Sequence, residues 1–328
     1  MQNIRVSIIS NSKELPQMTC NNFFHSVELF GIIERSSAQS PYMAVATTDE
    51  GIVVAHMLAI IRRRGSLMPP YLFTQGRIHG EGDYEPVCTD KEKVFGMMLR
   101  AITRKFRRKL CLFVEFSDLS QKMFGYRYFR KEGYFCVNWQ EVHNSLHSKS
   151  PEERLLPKAQ KYIANMDTDN ITVEIADTDS DSDIKEFYAI LRNNNRLNLR
   201  RLIPPYDQFL ELAKSKNANV FVLKYKDKLI GGCVCAYSES NAYLWFLASR
   251  NKRYIHLHPN YIMVWKAIDY AYNQGYAHFR FLDAGLPTPG NPHRKFILNF
   301  GGKPVAKYRW FKFSIGWINK LLFRIYNE

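Results

Sequence analysis

The sequence predicts a mixed α/β fold, an α+β mixed sheet laid down twice along the chain. Three observations predict it. Short apolar or alternating runs bounded by turn residues recur and read as strands. Helical stripes stand between them, the clearest being Phe95, Met98, Leu99, Ile102 and Phe106 at i, i+3, i+4, i+7 and i+11. The order of elements in the first half then returns in the second: Ile52 answers to Leu229, Arg100-Ala-Ile to Lys266-Ala-Ile and Gly133 to Gly302, at offsets of 177, 166 and 169 residues. Offsets that nearly agree argue for an internal duplication.

In chain order, Tyr42 to Arg62 alternates through Ala44 and Ala46 to an Asp49-Glu50-Gly51 turn and returns through Ile52 to Ala55, a hairpin signature. The stripe over Lys91 to Lys109 predicts a helix, and the continuous apolar run Leu110 to Phe116 predicts a buried strand. A Gly-aromatic segment from Gly125 to Trp139 closes the half. Asn144 to Lys158 is polar, with Ser145, Ser148, Ser150, Pro151 and Pro157, and reads as the linker. A helix over Glu152 to Asn165 opens the second half, and the acidic-serine cluster Asp177 to Asp183 predicts the cap of a helix from Ile184 to Arg192 or beyond. Val220 to Tyr225, a Lys226-Asp227-Lys228 turn, Leu229 to Ala236 and Ala242 to Ala248 give three more strands. Ile262, Trp265, Ile268 and Ala271 mark a helix over Asn260 to Asn273, and Phe279 to Leu282 and Val305 to Phe313 are the last strands.

The composition is that of a folded protein: of 328 residues, 46% are hydrophobic and 23% charged, which excludes a disordered chain or a disulfide-stapled miniprotein. Lys and Arg number 46 against 31 Asp and Glu, a formal charge of +15 that favours polyanionic partners: nucleic acid, an anionic membrane surface or phosphorylated substrates. The six cysteines are scattered, with no Cys-x-x-Cys and no histidine at zinc spacing, so they read as reduced, mostly buried thiols with no metal among the expected cofactors. Met1 to Ser10 lacks a signal-peptide pattern and no apolar run is long enough to span a bilayer. The expected location is the cytoplasm, with peripheral contact at the inner face of an anionic membrane as an open extension.

The element order of each half resembles the GNAT acyltransferase fold. The run from His258 to Gly302, with Gly275-Tyr-Ala-His-Phe-Arg-Phe-Leu-Asp-Ala-Gly285 and then Phe296-Ile-Leu-Asn-Phe-Gly-Gly302, resembles the FemAB-like tandem GNAT family of peptidoglycan aminoacyltransferases and related envelope-polysaccharide proteins. The resemblance implies two tandem GNAT-like domains, divided here as 1–148 and 149–328. It implies transfer of an acyl or aminoacyl group to an amine on a small-molecule or lipid-linked cell-envelope precursor or sugar. Acyl-CoA or aminoacyl-tRNA would be the co-substrate, with nothing bound permanently and tRNA a partner in the second case. Two departures stand out. The family lysine falls at Ile297, Lys295 lying two places earlier, and the glycine-rich pyrophosphate loop is replaced by Arg250-Asn-Lys-Arg-Tyr-Ile-His-Leu-His-Pro259.

Acyl transfer needs a polarised carbonyl, an acceptor nitrogen that loses a proton and a slot holding both. The slot is expected where the strands Tyr243 to Ala248 and Phe279 to Asp283 splay apart. Asp283 reads either as proton acceptor or as the cap of the next turn. Lys295 with Arg294 are expected as electrostatic stabilisers, and Asn299 to Gly302 as a wall of close approach. If the helix continues, Arg192, Arg196 and Arg200 share a face, making Arg196 and Arg200 the expected anion clamps. Tyr206 and Tyr243 are the expected aromatic lining, and Arg250, Arg253 and Asn260 the expected donor-binding residues at a helix N-terminus. Two other readings stay open at this level: an ordinary acetyl-CoA-dependent N-acetyltransferase, and a non-catalytic nucleic-acid-binding or scaffolding protein that keeps the fold.

Overall fold

The computed structural model describes residues 3–65, 71–178, 181–196, 202–285, 288 and 290–327. The chain forms two compact units, Met1–Trp139 with Ala306–Glu328, and Gln140–Val305. A boundary near 148 therefore falls inside the second unit, and the stretch from Ala306 onward packs with the first. Both boundaries lie within strands.

The elements run β1 (Ile4–Ile9), α1 (Val27–Glu34), β2 (Gln39–Thr48), β3 (Val53–Gly65), β4 (Leu72–His79), β5 (Asp83–Tyr84), α2 (Lys91–Arg108), β6 (Phe113–Ser117), α3 (Tyr126–Lys131) and β7 (Phe135–Ser145). They continue α4 (Pro151–Arg154), α5 (Pro157–Ala164), β8 (Ile171–Ile175), α6 (Ser182–Asn194), α7 (Tyr206–Ala213), β9 (Ala218–Tyr225), β10 (Lys228–Ser238), β11 (Asn241–Ser249), α8 (Pro259–Asn273), β12 (His278–Phe281), α9 (Pro292–Leu298), β13 (Lys303–Phe313) and α10 (Gly316–Asn327).

In the first unit β1, β2, β3 and β4 are antiparallel neighbours, β4 runs parallel to β6, and Trp310–Phe313 of β13 pairs antiparallel with β6. The apolar stripe of α2 packs on this sheet, with Phe95, Met98, Leu99, Ile102 and Phe106 all buried beside Trp310. In the second unit β8, β9, β10 and β11 are antiparallel neighbours, β11 runs parallel to β12, and His143–Ser145 of β7 pairs antiparallel with β12. The expected Lys226-Asp227 turn joins β9 to β10 with both residues at positive φ, as a two-residue hairpin needs. Helix α8 covers this sheet with Ile262, Met263, Ala267 and Ile268. The same plan is thus built twice, as the repeat predicts.

The expected helix over Glu152 to Asn165 is two helices, because Pro157 pushes Leu156 into extended backbone (ψ 157°) and starts α5 afresh. Helix α6 stops at Asn194 with Asn195 as its C-cap, so Arg196 lies beyond the helix and does not continue the face of Arg192. Arg200 lies outside the described residues. Gly232 is dictated by packing: a Cβ there would stand 2.7 Å from the Phe187 ring, so α6 could not seat on β10.

Candidate active site in the second unit

Parallel pairing of β11 with β12 runs from Asn241/His278 to Leu244/Phe281, with one further bond from Leu282 N–H to the Leu244 carbonyl at 3.2 Å. Beyond this point the strands part. On its other edge β11 carries a bulge just there: Val234 faces Phe246 and Cys235 faces Leu244, leaving Trp245 as the extra residue. The opening lies at the carboxyl ends of the parallel strands, where open α/β sheets bind ligands. The pairing therefore ends within the two strands where the sequence leads one to expect the slot.

The turn after β12 is held from α9. Asp283 Oδ1 accepts from Gly285 N–H at 3.0 Å, the cap geometry anticipated as one of its two readings. His293 Nε2 sits 3.0 Å from the Asp283 carbonyl oxygen, and Arg294 donates to the Gly285 carbonyl at 3.4 Å. Asn291 caps α9 through His293 N–H and Arg294 N–H and lies against Gly285, whose φ of +75° suits glycine. Burial lowers the pKa of the Arg294 guanidinium. Asp283 and Arg294 therefore both bond Gly285, whereas Lys295 is exposed. Ile297 is 1% exposed in the core, so the family's lysine position is here an apolar packing position.

The donor-side residues are tied to the protein itself. Asn260, in the first turn of α8, accepts from Ser249 Oγ at 2.7 Å. Arg250 pairs with Glu186 at 2.7 Å, and its N–H caps the Ile230 carbonyl. Arg253 is exposed with its guanidinium over the Tyr254 ring. Tyr206 donates to Asp181 at 2.7 Å and packs on Tyr188; burial together with that carboxylate pushes its hydroxyl up to about 12. Asn299 donates to Tyr261 Oη at 3.2 Å and back to its own helix. The Gly301-Gly302 close approach is to the chain's own Arg154 and Asn144, which a Cβ at either position would strike, so this segment is a packing joint.

Sequence reasoning missed two features. One is His293, which braces the Asp283 turn; the signal for it in the sequence is its place in the first turn of a helix opened by Asn291-Pro292. The second is a polar row across β11, β12 and β7. Tyr243 is aligned with Arg280, whose guanidinium lies 5.8 Å from the ring, and Arg280 is aligned with His143, which bonds Glu141 at 2.8 Å. Arg280 Nε is buried and meets no hydrogen-bond partner among the described residues. No group of three or more His, Cys, Asp or Glu among the described residues suits a metal ion.

The corresponding parallel pair of the first unit, β4 and β6, carries a cluster of charged groups. Arg77 and Arg309 pair with Glu115, the latter at 3.2 Å, Arg77 donates to Ser117 at 2.8 Å, and His79 sits 3.1 Å from Asp118, all buried or nearly so. Burial raises the Glu115 pKa, but Arg77 and Arg309 outweigh it and hold the carboxyl below its ordinary value. Burial and Arg77 bring His79 down to about 4.

With this geometry in hand, comparison with known proteins places the fold. Residues 158–290 match the Acetyltransferase (GNAT) domain family model. No curated protein matches the chain in sequence. Among solved structures, FemX is similar over 94% of this chain and 95% of its own, with a TM-score of 0.60 at 10% identity. A tandem GNAT protein from the clavulanic acid biosynthesis pathway covers 94% and 99% at a TM-score of 0.57 and 10% identity. The C-terminal domain of a putative lysylphosphatidylglycerol synthetase from Agrobacterium fabrum covers 91% and 90% at 0.56 and 12%. The fold is the tandem GNAT fold, as the resemblance implied.

Proposed function

We propose that this chain is an N-acyltransferase whose acyl donor and acceptor amine meet where β11 and β12 part. The observation that carries the reading is the opening beyond Leu244 and Phe281, with the Trp245 bulge on one side and the braced Asp283 turn on the other. The amine attacks the acyl carbonyl carbon, the carbonyl oxygen takes up charge against backbone N–H groups of the parting strand, and the C–S or C–O bond to the donor breaks. Asp283 receives or orients the proton leaving the amine, and the donor's leaving group takes a proton in turn. Arg294 adds positive charge beside the turn, and His293 fixes the turn's path. Tyr243 and the partly exposed Arg280 offer the acceptor a ring face and a positive charge. The lysylphosphatidylglycerol synthetase and FemX likenesses support an envelope or lipid-linked acceptor, and the +15 charge suits a polyanionic donor, acyl-CoA or aminoacyl-tRNA.

Isothermal titration with acetyl-CoA, followed by transfer assays on amino sugars with acetyl-CoA or charged tRNA as donor, tests the reading. Saturable donor binding and transfer lost by about a hundredfold in Asp283→Asn at unchanged stability are expected. Absence of transfer from either donor, together with polyanion binding that falls steeply with salt and ignores Asp283→Asn, would instead assign the chain to nucleic-acid binding.

A further inference from the structure

Helix α10 carries two apolar faces, of which one is left uncovered. Ile318, Leu322 and Phe323 are half-buried on the inner side, where Arg130 lies over the Phe323 ring and Asn319 donates to the Gly133 carbonyl. At about 100° per residue, Lys320, Arg324, Trp317, Leu321 and Ile325 fall in that order around one continuous outer arc. Trp317 is 70% exposed, Leu321 51% and Ile325 60%. A contiguous apolar stripe of this size is more than the scattered hydrophobics of an ordinary surface. The described helix holds no acidic residue, and its outer arc is edged by two cations.

We propose that this outer face of α10 lies in the interface of an anionic lipid bilayer, with Trp317, Leu321 and Ile325 sunk below the headgroups and Lys320 and Arg324 among the lipid phosphates. Charge complementarity selects the bilayer: the basic edge faces outward beside the apolar stripe in a chain of formal charge +15, the arrangement of in-plane amphipathic helices. No helix among the described residues is long and apolar enough to cross a membrane, so the contact is one of lying on the surface.

The chain supplies its own reporter. Trp139, Trp245, Trp265 and Trp310 are 0–7% exposed, so a change in tryptophan emission on adding lipid reports Trp317. The full chain is mixed with vesicles of phosphatidylcholine alone or with phosphatidylglycerol at physiological salt, and binding is followed by flotation and by emission quenching with brominated lipid. A blue shift, quenching and flotation confined to phosphatidylglycerol vesicles are expected. L321E/I325E should weaken flotation at least tenfold with an unchanged circular dichroism spectrum, and K320Q/R324Q should remove the preference for anionic lipid. Failure to float on either vesicle, or equal flotation of L321E/I325E, overturns the proposal. A concentration-dependent dimer in sedimentation velocity that L321E/I325E dissolves also overturns it, by giving the face to a second copy of the chain.

Discussion

The first unit should be the acid-labile part of this protein. All three of its histidines, His25, His56 and His79, are buried, while every histidine of the second unit is at least partly exposed. Burial brings His25 from 6.5 down to about 3, and burial with Arg77 brings His79 to about 4. Because these folded values lie below the unfolded one, the unfolded chain binds the protons over the interval between them, and stability falls as pH drops from about 6.5 towards 4. Each protonation is worth about 1.4 kcal/mol per pH unit, so moving from about pH 7 to about pH 4.5 removes about 2.5 kcal/mol for each histidine and about 5 kcal/mol for the two. Glu115 and Asp118, held below their ordinary values, add to the loss at lower pH, since stability from a depressed carboxylate disappears as pH falls through its folded pKa. Amide exchange by mass spectrometry across a urea series at each pH separates the units. Peptides from β4 and β6 should lose protection steeply, and peptides from β9 and β10 much less. Equal losses in both units, or no change in β4 and β6 above about pH 4.5, would refute the reasoning.

Glu115→Gln should cost about 3–5 kcal/mol in the first unit, because Arg77 and Arg309 would be left buried without their carboxylate. Urea denaturation followed by the exchange of β6 checks it, and a loss under about 1 kcal/mol would contradict the buried-pair reading. Ile297→Lys should lower the melting temperature and add no transfer activity, since it forces an ammonium into the core, at about 3 kcal/mol or more. A stable and more active Ile297→Lys enzyme would mean that α9 sits in a different register.

The fold was legible where burial is one-sided and local. The stripe of α2 and the runs of β9 to β12 carry their periods openly, and the repeat reappears as β4/β11 and β6/β12 at offsets of 169 and 165 residues. What was illegible is non-local. The alternation in Val305 to Phe313 announces a strand but not its neighbour, and only the backbone path reveals that Trp310–Phe313 completes the first unit's sheet. The ion cluster was hidden for the same reason: Arg77, Glu115 and Arg309 each stand alone in an apolar strand, and their meeting depends on pairings between distant segments. Of the candidate site, the sequence places Asp283 just after a strand and Arg294 close behind it, and the structure joins them through Gly285, whereas the arginine face does not form because the Asn193-Asn-Asn run ends α6 before Arg196.

The same physics bears on the proton transfer proposed for the second half. A general base works best with a pKa near the working pH. In the first unit His25 at about 3 and His79 at about 4 bind protons too weakly, and Glu115 and Asp118 are held ionised by neighbouring Arg77, Arg309 and His79. Arg77, Glu115, Arg309, His79 and Asp118 are thus tied to one another across β4, β6 and β13. In the second unit the equivalent pair ends four residues in, and Asp283 stands partly exposed at the end of its strand with one oxygen bound by a backbone N–H. On the proposed reading the duplicated fold divides the work: the first copy ties its titratable groups to one another, and the second keeps Asp283 partly exposed for the transfer.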